Sequence, residues 1–167
     1  QHSGPSHASG PLIAHNAVIS GNVTSASSTT AAVRLENSTP RLRNNYIKSG
    51  TIVQGITDFL SLASGILSVN SDPLVVSNVV IANAISGGNF AWSIGVYHFA
   101  ATGGTYSNNT IATLSNLGNA HAFAVNGGSG KPLVSNNIIF NAAGGSIFYE
   151  WNTTDNPVSL HNNVLIG

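Results

Sequence analysis

Pro132-Leu-Val-Ser-Asn-Asn137-Ile-Ile139 decides the fold, because the chain repeats it. Its counterparts are Pro11-Leu-Ile-Ala-His-Asn16-Ala-Val18, Pro40-Arg-Leu-Arg-Asn-Asn45-Tyr-Ile47, Pro73-Leu-Val-Val-Ser-Asn78-Val-Val80, Gly104-Thr-Tyr-Ser-Asn-Asn109-Thr-Ile111 and Pro157-Val-Ser-Leu-His-Asn162-Asn-Val164. Every copy aligned this way has Asn sixth and Val or Ile eighth, and five of the six open on Pro. Gly104 takes the place of Pro in the remaining copy and punctuates the chain similarly, marking a turn before a strand.

A second phrase lies between the copies and alternates apolar with other residues, as a half-buried strand does. It reads Val33-Arg-Leu35-Glu36, Leu67-Ser-Val69-Asn70, Ile94-Gly-Val96-Tyr97, Phe123-Ala-Val125-Asn126 and Ile147-Phe-Tyr149-Glu150. The repeated asparagines are 29, 33, 31, 28 and 25 residues apart, the variable period of a coil whose loops differ in length. A rung of this kind cannot bury its own apolar face. Stacked rungs, paired strand on strand in parallel at about 4.8 Å, make one continuous core. At the bend between two strands an Asn amide can bond to the same residue above and below, so a ladder is expected of Asn16, Asn45, Asn78, Asn109, Asn137 and Asn162.

These phrases resemble the right-handed parallel β-helix repeats of the pectate-lyase-like superfamily, with their Asn-Asn-x-Ile bends. The resemblance covers residues 11–167 and implies an all-β, single-stranded, right-handed parallel β-helix of about six rungs, preceded by an arm over residues 1–10. The handedness comes from the resemblance alone. Function does not follow from it, because the superfamily includes polysaccharide lyases and hydrolases, tailspikes, adhesins and structural surface proteins.

Composition narrows the choice. Of 167 residues 6% are charged, with net charge zero, which leaves no electrostatic footprint for nucleic acid. No apolar run is long enough for a membrane span. Without cysteine there is no disulfide framework, thiol nucleophile or thiolate metal site. The chain has no methionine and opens at Gln1, which reads as a processed form or an excised piece, most simply after removal of a signal peptide. A secreted or cell-surface location is expected.

Catalytic groups are sparse. The acids are Glu36, Asp58, Asp72, Glu150 and Asp155. The phrase alignment puts Glu36 and Glu150 in one outward column four rungs apart, roughly 19 Å, too far to act on one bond. Glu150 and Asp155 flank a turn and form the best local pair, with a solvated turn as the plain alternative. Arg34, Arg41, Arg43 and Lys48 gather around the second rung and read as a polar outer face. The six histidines show no metal-ligand spacing, and neither a metal nor a cofactor is expected. Asn22, Asn37, Asn108 and Asn152 head N-glycosylation acceptor patterns, of which several arise by chance in a chain so rich in Asn, Ser and Thr. Phe90, Trp92, Tyr97, His98 and Phe99 fall within one rung, and Trp92 and Tyr97 are the candidate glycan contacts.

Neither end carries a capping pattern, and a bare rung is an unpaired edge that invites association. His15, Asn16 and Val18 at the start, and His161, Asn162, Val164, Leu165 and Ile166 at the finish, are the candidate end-to-end interface. His15 and His161 share a repeat position in this alignment, so a head-to-tail stack is expected to loosen on protonation below about pH 6. The functional expectation is a non-catalytic extracellular structural protein. It is either part of a longer β-helical chain or a filament subunit joined head to tail with copies of itself. The alternative is a carbohydrate-active module, lyase- or hydrolase-like or glycan-binding, using the outer face. Converging carboxylates distinguish an enzyme, and exposed aromatics a binder.

Overall fold

The structure, a computed structural model, describes residues 10–24, 28–53, 61–86, 91–100, 103–115, 119–128, 130–142, 145–152, 154 and 159–167. The N-terminal arm up to residue 9, and with it His2 and His7, lies outside the described residues, as do Asp58, Phe90, Asp155 and Pro157. The first coil holds β1 (Leu12–Ala14), β2 (Ala17–Ile19), β3 (Val23–Thr24) and β4 (Thr29–Glu36). The second holds β5 (Arg41–Arg43), β6 (Tyr46–Lys48), β7 (Ile52–Val53) and β8 (Ser61–Val69). The third holds β9 (Leu74–Val76), β10 (Val79–Ala82), β11 (Ile85–Ser86) and β12 (Ala91–Phe99). Then come β13 (Thr105–Ser107), β14 (Thr110–Thr113) and β15 (Ala120–Asn126), followed by β16 (Leu133–Ser135), β17 (Ile138–Asn141) and β18 (Gly145–Glu150). A last turn contributes β19 (Ser159–His161) and β20 (Val164–Ile166).

Like strands stack on like. Sheet A runs β1-β5-β9-β13-β16-β19, sheet B β2-β6-β10-β14-β17-β20, sheet D β18-β15-β12-β8-β4, and the short sheet C β11-β7-β3. Every pairing is parallel, in register from coil to coil. The molecule is a parallel β-solenoid.

The repeated phrase makes the bend between sheets A and B. Its fifth residue takes a left-handed backbone at His15, Asn44, Ser77, Asn108 and Asn136, with φ between 55° and 59°. Asn recurs there because its short polar side chain tolerates that conformation better than most. The sixth residue turns its amide inward. The backbone N–H of Asn45 donates to Asn78 Oδ1, that of Asn78 to Asn109 Oδ1 and that of Asn109 to Asn137 Oδ1, each at 2.9 Å. Each Nδ2 donates to the same oxygen at 2.9–3.1 Å. It also donates to a carbonyl of the preceding coil, as Asn109 Nδ2 does to Val75 O.

The last copy corrects the phrase alignment. Leu133 pairs with Ser159, Val134 with Leu160 and Ser135 with His161. The register therefore starts one residue later than Pro157 suggests. Asn162 occupies the left-handed position, φ 54°, and Asn163 is the residue in the column, its Oδ1 accepting from Asn137 N and Nδ2 at 2.9 and 3.0 Å. Two asparagines in a row made either register readable. Leu165, paired with buried Ile139, holds the eighth position in this register, and Val164 the seventh. His161 falls level with Ala14, and Asn162 is the counterpart of His15, so the two histidines do not share a repeat position.

Inside, Leu42, Val75, Tyr106 and Val134 of sheet A meet Ile47, Val80, Ile111 and Ile139 of sheet B and Ile66, Val96 and Phe123 of sheet D. Tyr106 meets Phe123 edge-on at 5.0 Å, and Phe123 stacks on Phe148 at 5.2 Å. Each such side chain contributes about 1.5–3 kcal/mol by burial.

Sheet D carries an irregularity that positions the candidate site. Its register runs Ala31, Ser64, Ile94, His121, Ser146 and resumes at Val33, Ile66, Val96, Phe123, Phe148. Ala32, Gly65, Gly95, Ala122 and Ile147 are skipped. A Cβ on Gly65 would lie 2.6 Å from Val80 Cγ1 and one on Gly95 2.9 Å from Ile111 Cγ2, so sheet D is pinched against sheet B along this column. Residues on both sides of the pinch, the fully buried Ile94 and the half-buried Tyr97, then line one depression.

Candidate functional site: an aromatic depression on sheet D

The depression has a volume of about 320 Å³ and is lined by Leu62 from β8, Trp92, Ile94, Tyr97 and Phe99 from β12, Asn126 from β15, and Trp151 just after β18. Trp92 and Trp151 stand 4.6 Å apart between ring centroids, and Tyr97 stacks on Trp151 at 5.9 Å. Tyr149 meets Trp151 edge-on at 5.2 Å, and Phe99 lies 5.7 Å from Tyr97. Trp151 and Phe99 are 37% and 38% exposed. Asn126 Nδ2 donates to Tyr97 Oη at 2.9 Å, fixing both side chains at the rim.

His121 lies beneath this cluster, stacked on Tyr149 at 4.2 Å and 5.4 Å from Trp92. Its Nδ1 accepts the Ser146 backbone N–H at 3.2 Å, which places the proton of the neutral ring on Nε2. Burial pulls its pKa down to about 4. The ring is neutral at pH 7.

The cluster that sequence grouped within one rung divides between faces. Trp92, Tyr97 and Phe99 point out, whereas His98 is fully buried and its Nδ1 lies 2.9 Å from Tyr106 Oη. Burial holds His98 at about 4 and raises Tyr106 well above the ordinary phenol range, helped by the nearby Asp72 charge and opposed by a Ser68 hydrogen bond. Trp151, Tyr149 and His121 escaped the sequence reading because they come from other coils. Only Tyr149 shares a column with a candidate residue, Tyr97, with Ala124 between them.

The charged candidates do not converge. Arg34 Nε and Glu36 Oε2 pair at 3.2 Å on the exposed face of β4. Glu150 pairs in register with Val125, while Glu36 belongs to the column of Val69, Phe99 and Asn126, so the two carboxylates lie in different columns. Unpaired Ile147, aligned by phrase with Val33, shifts the alternation of β18 by one residue relative to β4. Arg41 and Arg43 are on sheet A and Lys48 is on sheet B, so the four basic residues are divided among three sheets. No group of three His, Cys, Asp or Glu residues suited to a metal exists among the described residues. No helix in them is long and apolar enough to cross a membrane.

At the ends, His15 and Asn16 are exposed and Val18 is half-buried, while His161, Asn162, Val164, Leu165 and Ile166 are all exposed. Among the described residues no donor reaches Asn16 Oδ1. Of the acceptor-column residues, Asn163 at the other end keeps a single bond from its own Nδ2, to Val134 O at 3.0 Å.

A stack of parallel strands in three long sheets around one apolar core defines the class, a parallel β-helix. The family model "Right handed beta helix region" matches residues 7–165, and the chain belongs to that family. The pectate-lyase-like resemblance is consistent with it, and the coil is right-handed. No curated protein and no solved structure matched the chain.

Proposed function

We propose that the chain is a non-catalytic, extracellular carbohydrate-binding β-helix that holds a glycan in the aromatic depression of sheet D. One observation carries the reading: Trp92 and Tyr97 of β12 and Trp151 just after β18 converge on a 320 Å³ hollow in the scaffold. Flat rings with polar edges suit sugars, whose C–H faces are apolar and whose hydroxyls lie at the rim. Hydrolysis or elimination would call for paired acid and base groups, and the lining residues include neither. Retarded migration in a gel containing polysaccharide, with no new reducing ends or unsaturated products, is the expected result. Product release would make the protein an enzyme instead.

A second reading, a structural surface or filament protein, draws on the end coils. Continuing the register would set Asn16 Oδ1 of further β-helix, from a second copy or a longer chain, where Asn163 can donate to it. Ile13 and Val18 would meet Leu160 and Leu165. His15 would then face Asn162 rather than a histidine, so this association is not expected to loosen in acid. Filaments by electron microscopy at pH 5 and pH 8 alike would support it, and dispersed particles at both would count against it.

A further inference from the structure

Resting on the glycan-binding reading, we infer that the sheet D depression selects uncharged, flat-faced glycans and excludes acidic ones. The lining residues Leu62, Trp92, Tyr97, Phe99, Asn126 and Trp151 contain no group ionised at neutral pH. The other outward-facing charges described on sheet D, Arg34 and Glu36, lie on β4, two strands from β12 and about 10 Å away at the strand spacing. They are already paired with each other at 3.2 Å. Glu150, between Tyr149 and Trp151 in the chain, adds a negative formal charge next to the tryptophan in sequence.

A uronate seated here would lose water from its carboxylate and find no cation among the lining residues in return, which is costly. A neutral β-linked glucan or xylan gives up only hydroxyl hydration, and its apolar ring faces lie on the indoles. The polar contacts available are of matching strength. Asn126 offers a carbonyl acceptor and a second N–H beyond its bond to Tyr97, both suited to neutral hydroxyls. A hollow of 320 Å³ is at the small end for ligand sites and takes one or two sugar units of a longer chain.

The chain's two tryptophans are both in the depression, so tryptophan fluorescence, excited at wavelengths that tyrosine does not absorb, reports on this site alone. The full chain is titrated with cellohexaose, xylohexaose and hexagalacturonate at low and high salt. Saturable change with a neutral hexamer, insensitive to salt, and at least about tenfold weaker response to hexagalacturonate is expected. Equal or tighter binding of hexagalacturonate overturns the selectivity while leaving glycan binding intact. No response to any of the three overturns glycan binding at this site as well. Trp151→Ala is expected to weaken the neutral hexamer at least about tenfold and Trp151→Phe less. Unchanged binding in both variants, with unchanged melting, would overturn the site assignment.

Discussion

The bend between sheets A and B and the face of sheet D are built from the same coils under opposite constraints. At the bend each coil repeats the last: a left-handed residue, then an asparagine whose oxygen accepts two bonds from the coil before. On sheet D the outward columns change in nearly every coil, Arg34 giving way to Leu67, Tyr97, Ala124 and Tyr149. Buried backbone groups must be satisfied in every coil, so the bend has one good solution, whereas an outward position has only solvent or a ligand to answer to. The repeat is scaffold, and the departures from it carry specificity.

The sharpest way to break that contrast is at the column. Asn109→Leu leaves Asn78 N without its acceptor and Val75 O without its donor, while Asn78 Nδ2 keeps Leu42 O and Val76 O, and is expected to cost about 3–5 kcal/mol in urea unfolding. Asn16→Leu, where no described donor relies on the side-chain oxygen, is expected to cost less than about 1 kcal/mol. Equal losses at the two sites would mean that the column is decorative, with stability residing in the apolar core alone.

Acid tests the interior on the side of sheet D away from the aromatic depression. The unfolded chain protonates His98 near 6.5, while the folded chain resists until about 4. The unfolded state therefore binds more protons between these values, and stability falls as pH drops from about 6.5 to about 4, by about 3 kcal/mol in total. His121 shifts in the same direction. His98→Gln is expected to remove about half of the acid slope in pH-dependent unfolding, the rest belonging to His121. A slope unchanged by that substitution would assign the acid sensitivity elsewhere.

Gly95 links the two regions, since the pinch of sheet D against sheet B produces the outward depression. Gly95→Ala places a Cβ against Ala122 O and 2.9 Å from Ile111 Cγ2. A cost of about 2–3 kcal/mol is expected, with glycan response lost through displacement of β12 rather than through any lost contact. Retained response at reduced stability would show that the hollow does not depend on the pinch.

The same contrast governs what could be read from the residues. The bends were legible at Asn45, Asn78, Asn109 and Asn137 because one physical requirement recurs with one residue type. At the sixth copy it fails, because His161-Asn162-Asn163 offers an asparagine in two registers, and the strand pairing of Leu160 with Val134 selects the later one. On sheet D, skipped residues Gly65, Gly95 and Ile147 move the apparent alternation by one or two places. Leu67 was thus aligned with Val33 although Ile66 is its partner, and Glu150 was placed in the column of Glu36. Trp92 and Tyr97 could be recognised from their own coil. Trp151 joins them only through a register that spans the irregular column.

The smallest effect on stability is expected where the largest effect on binding is. Trp151 is 37% exposed, follows the last residue of β18, and makes its ring contacts with Trp92, Tyr97 and Tyr149. Trp→Ala in a core costs about 3–5 kcal/mol because a cavity remains. At this edge solvent fills the space and the backbone bond from Trp151 N to Val125 O survives, so about 1 kcal/mol or less is expected for Trp151→Ala. Urea unfolding decides the matter. A loss near the core value would make the ring cluster a cap that holds β18 onto β15, and the aromatic face would then belong to the scaffold along with the asparagine column.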